Sequence, residues 1–180
     1  MVVMPHPEVR IRRAEPTDAR IIAEINHASW ESAYRGLMPD GLIDSVGIDA
    51  REERQRVHLS VPAAESPRSS WIADVEGRAV GYTSLGPQRD EGAQEGVGEV
   101  YSIYLLPIAV GKGIGRELLA HAMGVLRDAD FREAVVWFHT GNHRARRFYA
   151  AAGFDADMEE TMKLIADFEV PCVRYRVRLS

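Results

Sequence analysis

The sequence predicts an α+β, or mixed α/β, architecture in which antiparallel strands lead into a strand–helix–strand crossover. Three observations predict it. Trp71–Val75 and Ala79–Leu85 flank Glu76-Gly77-Arg78 as a hairpin. Glu99 to Leu106, apolar or aromatic on both faces apart from Ser102, reads as a central strand that ends at Pro107 and passes through a glycine-rich turn into a helix. Val173, Tyr175, Val177 and Leu179 alternate with Arg174, Arg176 and Arg178 as a terminal strand with one wet face.

The remaining elements follow in chain order. Val9–Ile11 alternates with Arg10 and Arg12 as a first strand. Pro16-Thr17-Asp18 starts a helix whose apolar positions Ala19, Ile22, Ala23, Ile25 and Trp30 recur until Gly36 stops the pattern. Pro39 to Leu59 holds one or two shorter helices interrupted at Gly41 and Gly47, and Pro62 to Ser70 is a loop. Gly86 to Gly98 is polar and glycine-bearing, hence an exposed loop within reach of a site. Ile114, Leu118, Leu119, Ala122, Val125 and Leu126 mark an amphipathic helix; Ala134–Phe138 is the next strand, and Ala145, Phe148, Tyr149 and Ala152 form a second helical stripe ending at Gly153. Glu159–Val170 fits helix or strand equally.

The bulk composition bounds the function. A chain of 180 residues, 46% apolar, fits one domain over residues 1–180. With 22 Lys+Arg against 27 Asp+Glu the net charge is -5, which argues against nucleic acid as a partner. Cys172 is the single cysteine, so neither an internal disulfide nor a cysteine zinc site forms, and a cytoplasmic location is expected. Met1 to Pro7 lacks a basic region followed by an apolar run, and no stretch approaches the roughly 20 apolar residues of a membrane span, so no membrane partner is expected. His139 and His143 straddle Gly141 and cannot share a helical face; no metal is predicted.

Gly111-Lys112-Gly113-Ile114-Gly115 carries the chemistry. It follows a buried strand and opens a helix, where amides lack intrahelical partners and the helix dipole favours an anion such as phosphate. A nucleotide P-loop needs Ser or Thr after its lysine, and Gly113 follows Lys112. A dinucleotide fingerprint needs G-x-G-x-x-G with an acidic residue after the next strand, and here the spacing is G-x-G-x-G and that strand ends Phe138-His139.

Taken together, the run Glu99 to Pro107, the turn Gly111 to Arg116, the segment Asn142 to Tyr149 and the pair Gly153-Phe154 resemble the GNAT superfamily of N-acetyltransferases over nearly the whole chain. The resemblance implies a twisted, mostly antiparallel sheet with flanking helices and a splayed central strand. It implies acetyl-CoA as acetyl donor, with no metal, and direct transfer to a primary amine of a small molecule or protein. The donor diphosphate falls on Val110, Gly111, Lys112, Gly113, Ile114, Gly115 and Arg116, although Val110 stands where the family usually has Gln or Arg. Ile103, Tyr104 and Leu105 would meet the pantetheine arm beside a bulge, against the alternative of an unbroken strand. Asn142 reads as a helix cap that also touches the donor. Tyr149 is a proton donor to the departing sulfur in that resemblance and a packed aromatic by periodicity. Glu99 is either the general base or the polar end of its strand. Trp30, Glu31 and Tyr34 either wall the acceptor pocket or end a helix packed on the sheet. Two rival functions remain, an acyl-CoA-binding sensor without turnover and a nucleotide-dependent enzyme. An exposed edge in the C-terminal strands is compatible with a homodimer.

Overall fold

The computed structural model describes residues 8–179; Met1 to Pro7, read above as carrying no targeting pattern, lie outside them. Seven strands form a sheet in the order β1-β2-β3-β4-β5-β7-β6. They are β1 (Val9–Arg13), β2 (Ser69–Val75), β3 (Arg78–Pro87), β4 (Val97–Leu105), β5 (Glu133–His139), β6 (Asp155–Ile165) and β7 (Phe168–Arg178). Every pairing is antiparallel except β4 with β5, the pair bridged by a helical crossover.

Helices cover both faces. On one lie α1 (Ala19–Tyr34), α2 (Asp40–Ser45) and α3 (Ile48–Ser60); on the other lie α4 (Ile114–Asp128) and α5 (His143–Ala151). Ile22 and Ile25 of α1 pack on Ile72 and Tyr82, whereas Leu119, Ala122 and Leu126 of α4 join Val100, Val136 and Tyr175. These contacts follow the period-two and period-3.6 apolar patterns of the sequence. The end of α1 and α2 pack through Tyr34, Leu42 and Ile43 against Val170 and Cys172 of β7.

The segment Glu159–Val170, open between helix and strand in the sequence, belongs to the β6–β7 hairpin. Its turn is Ala166-Asp167, both with positive φ (46° and 67°). A tight hairpin demands that conformation and usually recruits Asn or Gly, so Ala-Asp hides the turn. The loop expected over Gly86–Gly98 is shorter than its composition suggests, because β3 runs on to Pro87 and β4 starts at Val97.

Candidate active site

Two strands that begin side by side and then part make the site. β4 and β5 share rungs only at Val97–Glu133, Gly98–Ala134 and Glu99–Val135, yet β4 continues to Leu105 and β5 to His139. Past Glu99 their facing edges carry main-chain groups without a ladder partner, polar groups available to whatever enters between them. The parting starts at a bulge. Ser84 opposes Ser102 and Leu85 opposes Val100, which leaves Tyr101 as the extra residue. The family resemblance implied a bulge at Ile103 to Leu105, against an unbroken strand. It sits earlier because the Tyr101 hydroxyl donates to Pro87 O at 2.6 Å and Thr83 Oγ1 donates to Ser102 O at 3.0 Å, pinning the register on either side.

A cleft of about 180 Å³ opens there, walled by Tyr101 to Leu105 of β4, Val136 to Phe138 of β5, the end of α1 and the start of α5. At one end stands the glycine-rich turn. Gly111 and Gly113 have φ of +83° and +87°, and a Cβ at either would meet nothing within 4 Å, so backbone conformation rather than crowding selects glycine. Among the described residues no carbonyl accepts from the amides of Gly111 to Gly115. No side chain caps α4 either, so an anion is the natural complement of this turn. Val110 and Gly115 line the cleft; Lys112 and Arg116 are exposed beside it, and the Ile114 side chain is core, leaving only its amide available.

From the other side α5 delivers Asn142 and Tyr149. Asn142 caps the helix by accepting the Ala145 amide at 2.9 Å, and it lines the cleft as well. Tyr149 also lines the cleft, its ring held between Phe138, Phe148 and Phe154. Burial raises its phenol above the ordinary value, so it stays protonated at neutral pH. Its hydroxyl makes no hydrogen bond to any described residue. Tyr34 and Tyr104 bring two more phenols, both raised mainly by burial.

The structure separates the three acceptor candidates. Tyr34 lines the cleft, but Trp30 packs edge-on against Tyr34 with Arg51 4.7 Å above its ring, and Glu31 turns outward to bond Arg35 at 2.6 Å. Helical periodicity is the reason: Ser29, Ser32 and Ala33, spaced i, i+3, i+4, face the cleft. That small-residue stripe was the available signal.

Glu99 is likewise not on the cleft wall. It is 2% exposed, and its carboxylate accepts from the Arg89 amide at 2.9 Å and the Arg89 guanidinium at 2.6 Å. Its neighbour Tyr101, the bulged residue, reaches the cleft instead. Asp90, next to Arg89, accepts from Trp137 Nε1, Lys163 Nζ and Arg174. Burial alone would raise the Asp90 carboxyl, but the bonds from Gln88, Arg174, Lys163 and Trp137 outweigh it and hold the group far below the usual carboxylate range. The β3–β4 loop is therefore fastened to β5, β6 and β7 at its start.

The acetyltransferase (GNAT) family model matches residues 24–154. This chain belongs to that family. It is an acetyltransferase, with the mostly antiparallel open sheet and flanking helices of its relatives. A probable N-acetyltransferase of Mycobacterium tuberculosis is 29% identical over 96% of this chain and 95% of its own length. An uncharacterized N-acetyltransferase of Mycobacterium bovis is 34% identical over 89% of this chain and 97% of its own. Among solved structures, the PaiA N-acetyltransferase of Thermoplasma acidophilum in complex with coenzyme A superposes with a TM-score of 0.76 at 19% identity, covering 93% of this chain and 98% of that one. In this acetyltransferase, sequence reasoning missed Arg89, Asp90 and Tyr101. Arg89 and Asp90 meet their partners only through the register of β3, β4 and β5, and periodicity gives no warning of a bulge.

Proposed function

We propose that this acetyltransferase moves the acetyl group of acetyl-CoA directly to a primary amine. The observation that carries the reading is the run of unpartnered amides at Gly111 to Gly115 at one end of the cleft between β4 and β5. These amides, the open space before Gly111 and Gly113 and the nearby Lys112 and Arg116 suit a diphosphate, so the chain's own residues fit the donor.

The donor supplies an acetyl group already activated as a thioester. The remaining work falls to the protein. Ile103, Tyr104 and Leu105 present the inner edge of β4 to the pantetheine arm, and a free amide there polarises the carbonyl. Asn142 steadies the arm from α5. Tyr149, protonated and without another partner, donates its hydroxyl hydrogen to the departing sulfur, and the proton that the nitrogen sheds on becoming an amide restores the phenol, directly or through solvent. Tyr34, with Ser29 and Ser32, shapes the acceptor side. No carboxylate or imidazole lines the cleft among the described residues, so the acceptor enters as the neutral amine in equilibrium with its ammonium form, and Glu99 serves to hold Arg89. The reading extends to a cytoplasmic enzyme, supported by the free, buried Cys172.

The test is titration of the protein with acetyl-CoA in a calorimeter, followed by incubation with an amine panel while free thiol is measured. Saturable heat with thiol release is expected. Heat without release from any amine would favour a sensor, and absence of heat at millimolar donor would end the proposal.

A further inference from the structure

We propose that the acceptor carries an anionic group besides its amine, and that Arg68, seated beside Arg89 on the ring of Tyr101, receives it. The inference rests on the acetyl-transfer reading above and names the substrate class for that site.

Tyr101 stands on the β4 wall at the end away from the glycine-rich turn, which the transfer reading gives to the acceptor, and its hydroxyl is committed to Pro87 O. Two guanidinium carbons lie close to that ring, Arg89 at 3.9 Å and Arg68 at 4.7 Å from the centroid. They are not equivalent. Arg89 is neutralised by Glu99, which holds it through both the side chain and the main-chain amide. Arg68 is exposed and makes no ion pair and no side-chain hydrogen bond with any described residue. Apart from main-chain bonds with the Ser66 hydroxyl, its contact is the ring of Tyr101, which lines the cleft, and the planar donor fork is left to solvent.

The carboxylates grouped around Arg174 are already engaged. Asp90 is engaged by Lys163 and Arg174, and Asp157 by Arg174 and Arg176. Among the described residues, none that lines the cleft is Asp or Glu. Among the described residues a polycationic amine therefore meets no carboxylate on the cleft wall, whereas an anion meets two guanidinium groups without an ion pair, Arg144 on the wall and Arg68 against Tyr101. The local sign also runs against that of the chain, whose net charge is -5, so the attraction is confined to this end of the molecule. Arginine suits the task better than lysine: the flat guanidinium stacks on a phenol ring while its edge accepts a carboxylate in bidentate fashion. The acceptors this selects are amino acids and similar amines bearing a carboxylate.

The test uses the full chain with acetyl-CoA and pairs of acceptors that differ in one charge, each an amino acid and its carboxamide, with free thiol as readout. The acids are expected to exceed the amides in kcat/KM by about tenfold. Arg68→Gln should raise KM for the acids by about the same factor, leave kcat within about twofold and leave the amides unchanged, while Arg68→Lys restores part of the loss. Equal rates for acids and amides, or a preference for acids that survives Arg68→Gln, would overturn the proposal. If neither class turns over, equilibrium dialysis of each in the presence of coenzyme A decides it, and equal retention counts against it. Absence of any heat on titration with acetyl-CoA is a different result: it removes the transfer reading and this inference with it.

Discussion

The ring of Tyr149 stacks on Phe138 with centroids 5.5 Å apart and planes 24° from parallel. The stack ties α5 to β5 where that strand has already left β4, so the phenol is held at the cleft by aromatic packing alone. Tyr149→Phe keeps this packing and removes only the hydroxyl. We expect kcat to fall by about a hundredfold with donor affinity within about twofold, read by steady-state thiol release and calorimetry. An unchanged kcat would take Tyr149 out of the mechanism.

Gly113→Ala tests the donor site through conformation. A Cβ there meets no atom within 4 Å, but φ of +87° costs an L-residue about 1–2 kcal/mol. Relaxing that angle turns the following amides away. Donor Kd should rise by about tenfold or more, while the melting temperature drops only a few degrees. An unaltered Kd would argue that those amides do not hold the donor.

Because no described residue on the cleft wall is a carboxylate or an imidazole, kcat/KM should climb with pH until the acceptor's own ammonium group has lost its proton. Acceptors of different basicity should shift the midpoint in step with their own pKa. Glu99→Gln should preserve that profile, since Glu99 lies off the wall and holds Arg89. A midpoint that stays fixed across acceptors and vanishes in Glu99→Gln would restore Glu99 as the base.

Asp90 gives a prediction for stability. Its carboxyl is held below the ordinary range, so it stabilises the folded state fully above the unfolded value of about 4 and progressively less as pH falls below that. Asp90→Asn should cost about 2 kcal/mol in urea unfolding at pH 7. The deficit should stay constant down to about pH 5 and shrink below about pH 4. A deficit that is the same at pH 3 as at pH 7 would show that charge is not its source.

β6 is one of the two edge strands of the sheet, and Met162 and Leu164 on it are 51% and 70% exposed. If two copies pair along this edge, Leu164→Lys should convert a dimer to a monomer in sedimentation, with thiol release per chain unchanged. A wild-type chain that sediments as a monomer would refute edge pairing.

What the sequence made legible is what is local. The strand, glycine turn and helix around Gly111–Gly115 announce themselves through period and chain breakers, and Asn142 is readable as a cap because its partner Ala145 is three residues on. What stayed hidden depends on register. Trp137 meets Asp90 47 residues away, and the bulge at Tyr101 shifts which side chains reach the cleft, so that Tyr101 arrives there and Glu99 does not. The Ala166-Asp167 turn was invisible because it takes a left-handed backbone without glycine. For Trp30 and Glu31 the sequence left a pocket wall and a packed helix end both open, and angular position on α1 turns them from the cleft.

The three rungs between β4 and β5 have a mechanical consequence. Main-chain pairing joins the leaf β1–β4 to the leaf β5–β7 along a spine only three residues long. A molecule wedged between the leaves braces both at once, so occupancy should register as a rise in melting temperature and as slowed amide exchange on Tyr104 and Phe138, far from the phosphates themselves. The sheet thus serves as its own gauge of saturation.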